Sequence, residues 1–260
     1  MKVLALMGSP RNNGSTYMAV EMVEERLREM GEIEMEYVHL KDMDLGECIG
    51  CHACIHLGEA HCPVDGDRGE IEKRMLGADA LILASPVYSL GVTSLVKKFL
   101  DRFSYCFHRP RFFGLPVLAI ATAAGAGQKA SSHLMADCAR FWGCAPVYTV
   151  ELPKLDLNLT DAHREKVLRT LRGAAEKIFR ATQCSGPPRP AFRDLVAFRV
   201  WRDLAANSEP DSADHVHWRD RGWLEADYYY PTSIPGYYRL SLRLIEGLMR
   251  RYSGRVYGDA

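Results

Sequence analysis

Short apolar runs separated by stretches of helical spacing constrain the first 153 residues more than any other feature. Val3–Met7 is continuously apolar and closes on Gly8-Ser9-Pro10, as a strand buried on both faces does. Tyr17–Met30 follows with Met18, Val20, Met22, Val23 and Leu27 on or near one helical face. Further strands are expected at Ile33–Leu40, Ala80–Ser85, Pro116–Thr122 and Val147–Leu152, and helices at Glu70–Leu76, Thr93–Phe103 and Gln128–Phe141. Alternation of this kind requires a parallel sheet covered by helices on both faces, with right-handed crossovers. The chain is therefore an α/β protein with a doubly wound sheet. Beyond Pro153 the pattern becomes helical: Asp161–Ala181, a break at Gly186–Pro190, Phe192–Ala205, a polar segment Asn207–Arg221, an aromatic stretch, and a last helix from Pro235 to about Arg251.

Composition excludes several classes of partner. Thirty-three basic residues balance 33 acidic ones, so nothing marks a surface for nucleic acid or anionic lipid. No apolar run approaches the roughly 20 residues that span a bilayer, and the opening apolar stretch is too short for a signal peptide. A cytoplasmic location is expected. In a reducing compartment, the cysteines crowded between Cys48 and Cys62 point to metal or redox chemistry rather than disulfides. Cys106, Cys138, Cys144 and Cys184 are expected to be small buried hydrophobes.

Three loops carry the ligand chemistry. Gly8-Ser9-Pro10-Arg11-Asn12-Asn13-Gly14-Ser15-Thr16 joins the first strand to its helix, where free N–H groups and a partial positive charge favour a phosphate. The loop is neither a Walker sequence nor the dinucleotide fingerprint. Ser85-Pro86-Val87-Tyr88-Ser89-Leu90-Gly91 follows the third strand, with backbone and the Tyr88 face available to a planar ring. Thr122-Ala123-Ala124-Gly125-Ala126-Gly127-Gln128 follows the fourth, its small residues allowing close approach. All three belong on the carboxyl edge of the sheet, where ligands of doubly wound folds bind.

These loops, with Ala78-Asp79-Ala80 and Phe99-Leu100-Asp101-Arg102, resemble the NAD(P)H-dependent FMN reductases of the flavodoxin-like superfamily. The resemblance covers about 150 residues. It implies a flavodoxin-like five-stranded parallel sheet of order 2-1-3-4-5, with FMN at the switch point. It places Ser9, Arg11, Asn13, Ser15 and Thr16 on the phosphate, and Pro86, Val87, Tyr88 and Ser89 around the isoalloxazine. Thr122, Ala123, Ala124 and Gly125 close its other edge. Asp101 and Arg102 belong to the family pattern; on a helix, packing or dimerisation is the alternative role for them.

Cys48-Ile49-Gly50-Cys51-His52-Ala53-Cys54, then Cys62-Pro63, lies in the long loop 41–67. Two x₂ spacings bring three thiolates around one turn, as in ferredoxin-like 4Fe–4S binding, with Cys62 as the fourth ligand. The motif resembles the iron–sulfur flavoprotein branch of the same superfamily, with a long spacer before Cys62. Zinc, with His52, His56 or His61 substituting, and free thiols are the alternatives. The resulting reading is an FMN-dependent oxidoreductase with NAD(P)H or ferredoxin as electron donor. Its alternatives are an NAD(P)H:FMN or quinone reductase without a cluster, and a flavodoxin-like electron carrier. No side chain is indicated as a catalytic acid or base. Residues 1–155 form the FMN-binding domain, and 156–260 a helical, aromatic-rich extension. That extension is expected either to pack on its own domain or to wrap a neighbouring subunit and help cover its flavin pocket, in a homodimer or homotetramer.

Overall fold

The computed structural model describes residues 1–155, 159–184 and 186–256, without the side chains of residues 246 and 248–256. The expected domain boundary at Asp156, and the side chain of Leu248 on the last helix, lie outside the described residues. The chain forms two compact units: Met1–Cys51 with Cys62–Pro187, and His52–His61 with Pro188–Ala260.

The first unit is built on β1 (Lys2–Met7), β2 (Glu34–His39), β3 (Ala80–Pro86), β4 (Val117–Ala123) and β5 (Val147–Pro153). All pairings are parallel, in the order β2-β1-β3-β4-β5. Every residue of β3 and β4 is buried, which is why these strands read as unbroken apolar runs. The edge strand β2 is only half-buried, which is why it alternates instead. Burying side chains such as Leu4, Ile82, Leu118 and Ile120 contributes about 1.5–3 kcal/mol each.

The α-helices are α1 (Ser15–Met30), α2 (Ala53–His56), α3 (Arg68–Leu76), α4 (Ser94–Arg102), α5 (Tyr105–His108), α6 (Gln128–Phe141), α7 (Asp161–Thr182), α8 (Phe192–Ala206), α9 (Ala213–Asp220) and α10 (Gly236–Val256), with 3-10 turns at Leu40–Asp42 and Glu59–His61. Of these, α7 packs into the first unit. Its Val167, Leu171, Ala174, Ala175 and Ile178 share one core with Ala19, Val20, Val23 and Leu27 of α1 and the sheet residues Val3, Ala5, Ile82 and Ile120. Arg26 on α1 bonds Glu176 on α7 at 2.6 Å, and Arg172 on α7 returns the tie to Glu29 at 2.9 Å.

In the second unit the aromatics turn inward. Phe198 of α8 meets Trp218, Tyr228 and Tyr229 with ring centroids 4.7–5.5 Å apart. Trp218 and Trp223 are buried, and the Trp223 indole donates to the Tyr229 carbonyl at 3.0 Å. These rings are a core of their own unit. On α10 the apolar residues divide: Leu242 is buried, while Tyr237, Leu240 and Leu244 are exposed along one stripe. The polar segment 207–221 contains α9, started by Ser212, whose Oγ accepts from the His215 N–H. Among the described residues, no helix is long and apolar enough to cross a membrane.

Candidate functional site

The register of the sheet brings the three loops together. Met7 pairs with Ala84, and Pro86 with Thr122, so the chain leaves β1, β3 and β4 side by side at their carboxyl ends. The turn after β1 is tight: the Ser9 hydroxyl accepts the Arg11 N–H at 3.1 Å, and the Gly8 N–H reaches Ala84 O at 2.7 Å. Gly14 caps α1 and has no side chain with which to satisfy its first N–H groups. A Cβ placed on Gly14 would lie 3.5 Å from the Arg11 guanidinium. A cation and an uncapped helix start thus sit together, and both favour an anion.

Hydroxyls link the loops. Thr16 and Thr122, both buried, meet at 2.8 Å, joining the start of α1 to the end of β4. The Ser15 hydroxyl accepts the Leu155 N–H at 2.9 Å, tying in the segment after β5. The loop after β3 folds back through paired Tyr88 and Gly91 backbone bonds of 2.9 and 3.0 Å. Ser89 and Leu90 hold positive φ there. Gly127 approaches this loop so closely that a Cβ would fall 2.7 Å from Val87 Cγ1 and 2.9 Å from Leu90 Cα and O. A Cβ on Gly125, by contrast, meets nothing within 4 Å.

Of the residues expected around the flavin, Ser9, Ser15, Thr16, Pro86, Thr122 and Ala123 are buried. Arg11, Asn13, Tyr88, Ser89, Ala124 and Gly125 are exposed, and Val87 is half-buried. The donor set of these loops suits one phosphate, and Gly125 is exposed, with open space where a Cβ would stand.

The cysteine loop is closed at its base by Asp44 and Asp67: the Asp67 N–H donates to Asp44 O at 2.6 Å, and the Asp44 N–H to Asp67 Oδ2 at 2.8 Å. Cys48 and Cys51 are exposed, and Cys54 and Cys62 half-buried. Cys48, Cys51 and Cys62 belong to the first unit and Cys54 to the second. Among the described residues, no three His, Cys, Asp or Glu side chains are grouped to hold a metal ion. The donor chemistry nonetheless suits an iron–sulfur group, which prefers thiolates. Arg102 is buried and directs Nη1 at Cys62 Sγ over 3.1 Å, with Nη2 on the carbonyls of Val64 and Asp65. Nothing in the local sequence connects these positions, which the fold brings together.

Of the scattered cysteines, Cys106, Cys138 and Cys144 are buried as expected. Cys184 is not: it lies exposed past the end of α7, whose last buried residue is Ile178. Burial pushes the Cys138 thiol up to about 11 and Cys144 higher still, so both stay protonated near neutrality.

Residues 1–153 match the family model described as NADPH-dependent FMN reductase. The chain belongs to the NADPH-dependent FMN reductase family. Within that family it is similar to an iron–sulfur flavoprotein of Archaeoglobus fulgidus, at 30% identity over 86% of this chain and the whole of the relative. It is also 43% identical to the iron–sulfur flavoprotein MJ1083 of Methanocaldococcus jannaschii, over 39% of this chain and 51% of that one. Among solved structures, an NAD(P)H:quinone oxidoreductase from Methanothermobacter marburgensis superposes with a TM-score of 0.54 at 20% identity, covering 68% of this chain and 96% of that one. That likeness establishes the fold. Membership of the reductase family makes the chain a flavin-dependent oxidoreductase.

Proposed function

We propose that this reductase binds FMN across the three loops and a 4Fe–4S cluster in its cysteine loop, and passes electrons between them. Ser9, Arg11, Asn13, Ser15 and Thr16 would hold the phosphate. Pro86, Val87, Tyr88 and Ser89 would frame the isoalloxazine, and Thr122, Ala123, Ala124 and Gly125 would close its other edge. The observation that carries this reading is the Arg11 guanidinium beside Gly14 at the uncapped start of α1, on the edge where all three loops converge. FMN, when bound, supplies two-electron acceptance and one-electron release, which suits it to stand between a nicotinamide and a one-electron partner. The chain's own part is to bind the phosphate, shape the ring pocket and exclude alternatives. Residues 1–155 carry this site in our reading.

Cys48, Cys51, Cys54 and Cys62 would be the cluster ligands, supported by their spacing and by the names of the relatives. NAD(P)H or ferredoxin would be the electron donor, and the cytoplasm the place of action. The exposed stripe of Tyr237, Leu240 and Leu244 supports assembly into a homodimer or homotetramer. A second reading, a reductase without a cluster, is favoured by the lack of grouped metal ligands among the described residues. Iron and sulfide analysis after isolation without oxygen decides between them. About four of each per chain supports the cluster, and iron near zero with FMN retained supports the plain reductase.

A further inference from the structure

Arg102 presents an unresolved charge. The residue is only 5% exposed, and among the described residues no carboxylate pairs with it. Asp101, the adjacent acid, is taken up by Lys97 at 2.5 Å. A buried cation without an anion is costly, because desolvation is not offset by two carbonyl contacts alone. The remaining group within reach is the sulfur of Cys62, 3.1 Å from Nη1. A thiolate there, made permanent by a metal, would supply the missing negative charge.

The guanidinium is also rigidly placed. It ends α4, whose Val96, Phe99 and Leu100 are buried, with the Phe99 ring edge-on to Trp142 at 5.5 Å. At the other end of α4, the Thr93 hydroxyl caps the helix and donates to Gly8 O at 2.7 Å. One helix, about 13 Å long, thus fastens the turn proposed for the flavin phosphate at its start and Cys62 at its finish. The 3.1 Å contact is fixed by the frame of the first unit.

We propose that Arg102 is a positioning residue for the cysteine loop: it fixes Cys62 as a ligand of the iron–sulfur cluster and raises the potential at which that cluster accepts an electron. This rests on the reading of the cysteines given above. Reduction adds one negative charge to the cluster. A fixed cation and an N–H donor at one of its sulfurs stabilise the more negative state, as hydrogen bonds to cluster sulfurs do. Arg102 is no catalytic residue. It acts through Cys62.

The experiment is an anaerobic spectroelectrochemical titration of the full chain, parent against Arg102→Gln and Arg102→Lys, with iron, sulfide and thermal unfolding measured on each. Glutamine keeps an N–H donor and removes the charge; lysine keeps the charge. The oxidised-to-reduced ratio of the cluster at fixed potential should rise at least tenfold in Arg102→Gln, a fall in midpoint of about 59 mV for one electron. In Arg102→Lys it should stay within about threefold of the parent, since the charge remains. Arg102→Met, also uncharged, replaces the glutamine variant if that one fails to fold, with the same tenfold expectation. A cluster-loaded uncharged variant with the parent's potential overturns the proposal, leaving Arg102 as a tie to Val64 and Asp65. An equal shift in the lysine variant overturns the role of charge. A parent that holds no iron refutes instead the reading on which this one stands, so the two failures are distinct.

Discussion

Replacing Gly127 and Gly125 by alanine separates the structural part of the third loop from its binding part. Gly127 has φ +100°, where an alanine costs about 1–3 kcal/mol. Its new Cβ would stand 2.7 Å from Val87 Cγ1 and 2.9 Å from the Leu90 backbone. The Leu90 contact cannot be relieved by a side-chain rotation, and overpacking of this kind costs about 1–3 kcal/mol more. The sum, about 2–6 kcal/mol, is a large share of the roughly 5–15 kcal/mol typical of a folded domain. Gly125 is the control: it lies outside the left-handed region and meets nothing within 4 Å. Gly125→Ala should leave stability within about 0.5 kcal/mol of the parent, yet push a methyl into the space proposed for the flavin. Urea denaturation of the flavin-free proteins measures the first effect, and fluorescence titration with FMN the second. We expect Gly127→Ala to lose at least about 2 kcal/mol, and Gly125→Ala to lose about tenfold in FMN affinity at unchanged stability. A Gly127→Ala protein as stable as the parent, or a Gly125→Ala protein that binds FMN normally, would refute the reasoning.

Further expectations follow from the same geometry. Arg11→Ala should weaken FMN binding about tenfold, as loss of one charged contact does, while leaving riboflavin affinity unchanged; equal losses for both ligands would place Arg11 away from the phosphate. In native protein stripped of iron, an alkylating reagent at pH 8 should modify Cys48, Cys51 and Cys184 rapidly and spare Cys106, Cys138 and Cys144, as mass spectrometry of the digests would show. Restoring the cluster should protect Cys48 and Cys51 and leave Cys184 reactive. Hydrogen bonds from Arg26, joined at Glu29 by Arg172, hold the Glu29 and Glu176 carboxyls below the usual range. Depressed folded-state values contribute stability above the unfolded carboxylate range and lose it as pH falls through them. A Glu29→Gln, Glu176→Gln variant should therefore show a shallower loss of stability than the parent from about pH 5 downward, and an unchanged acid limb would contradict the α1–α7 linkage.

How much of this was legible in the sequence differs by element, for physical reasons. β3 and β4 announce themselves because both faces are buried and every residue must be apolar or small. The loops after them were legible because Gly, Ser and Thr cluster where strands end, and the sheet order brings those ends together. The helix α9 was hidden because its Ala-Asp-His-Val-His-Trp-Arg-Asp sequence is short and polar; the cap Ser212 with the buried Trp218 was the available signal. The aromatic stretch left two destinations open, and Trp218, Trp223 and Phe198 pack together in their own unit. Arg102 belongs to a family pattern, but the sequence does not show what it touches. Its partner Cys62 lies 40 positions away, and only folding joins them.

The central claim is that the edge formed by the turns after β1, β3 and β4 binds FMN and no larger flavin. Its most direct test is chromatography of the flavin released when the purified protein is denatured. The account predicts FMN at close to one per chain, and an Arg11→Ala protein that retains less of it. FAD at full occupancy, or a protein that binds no flavin when offered FMN, would contradict it.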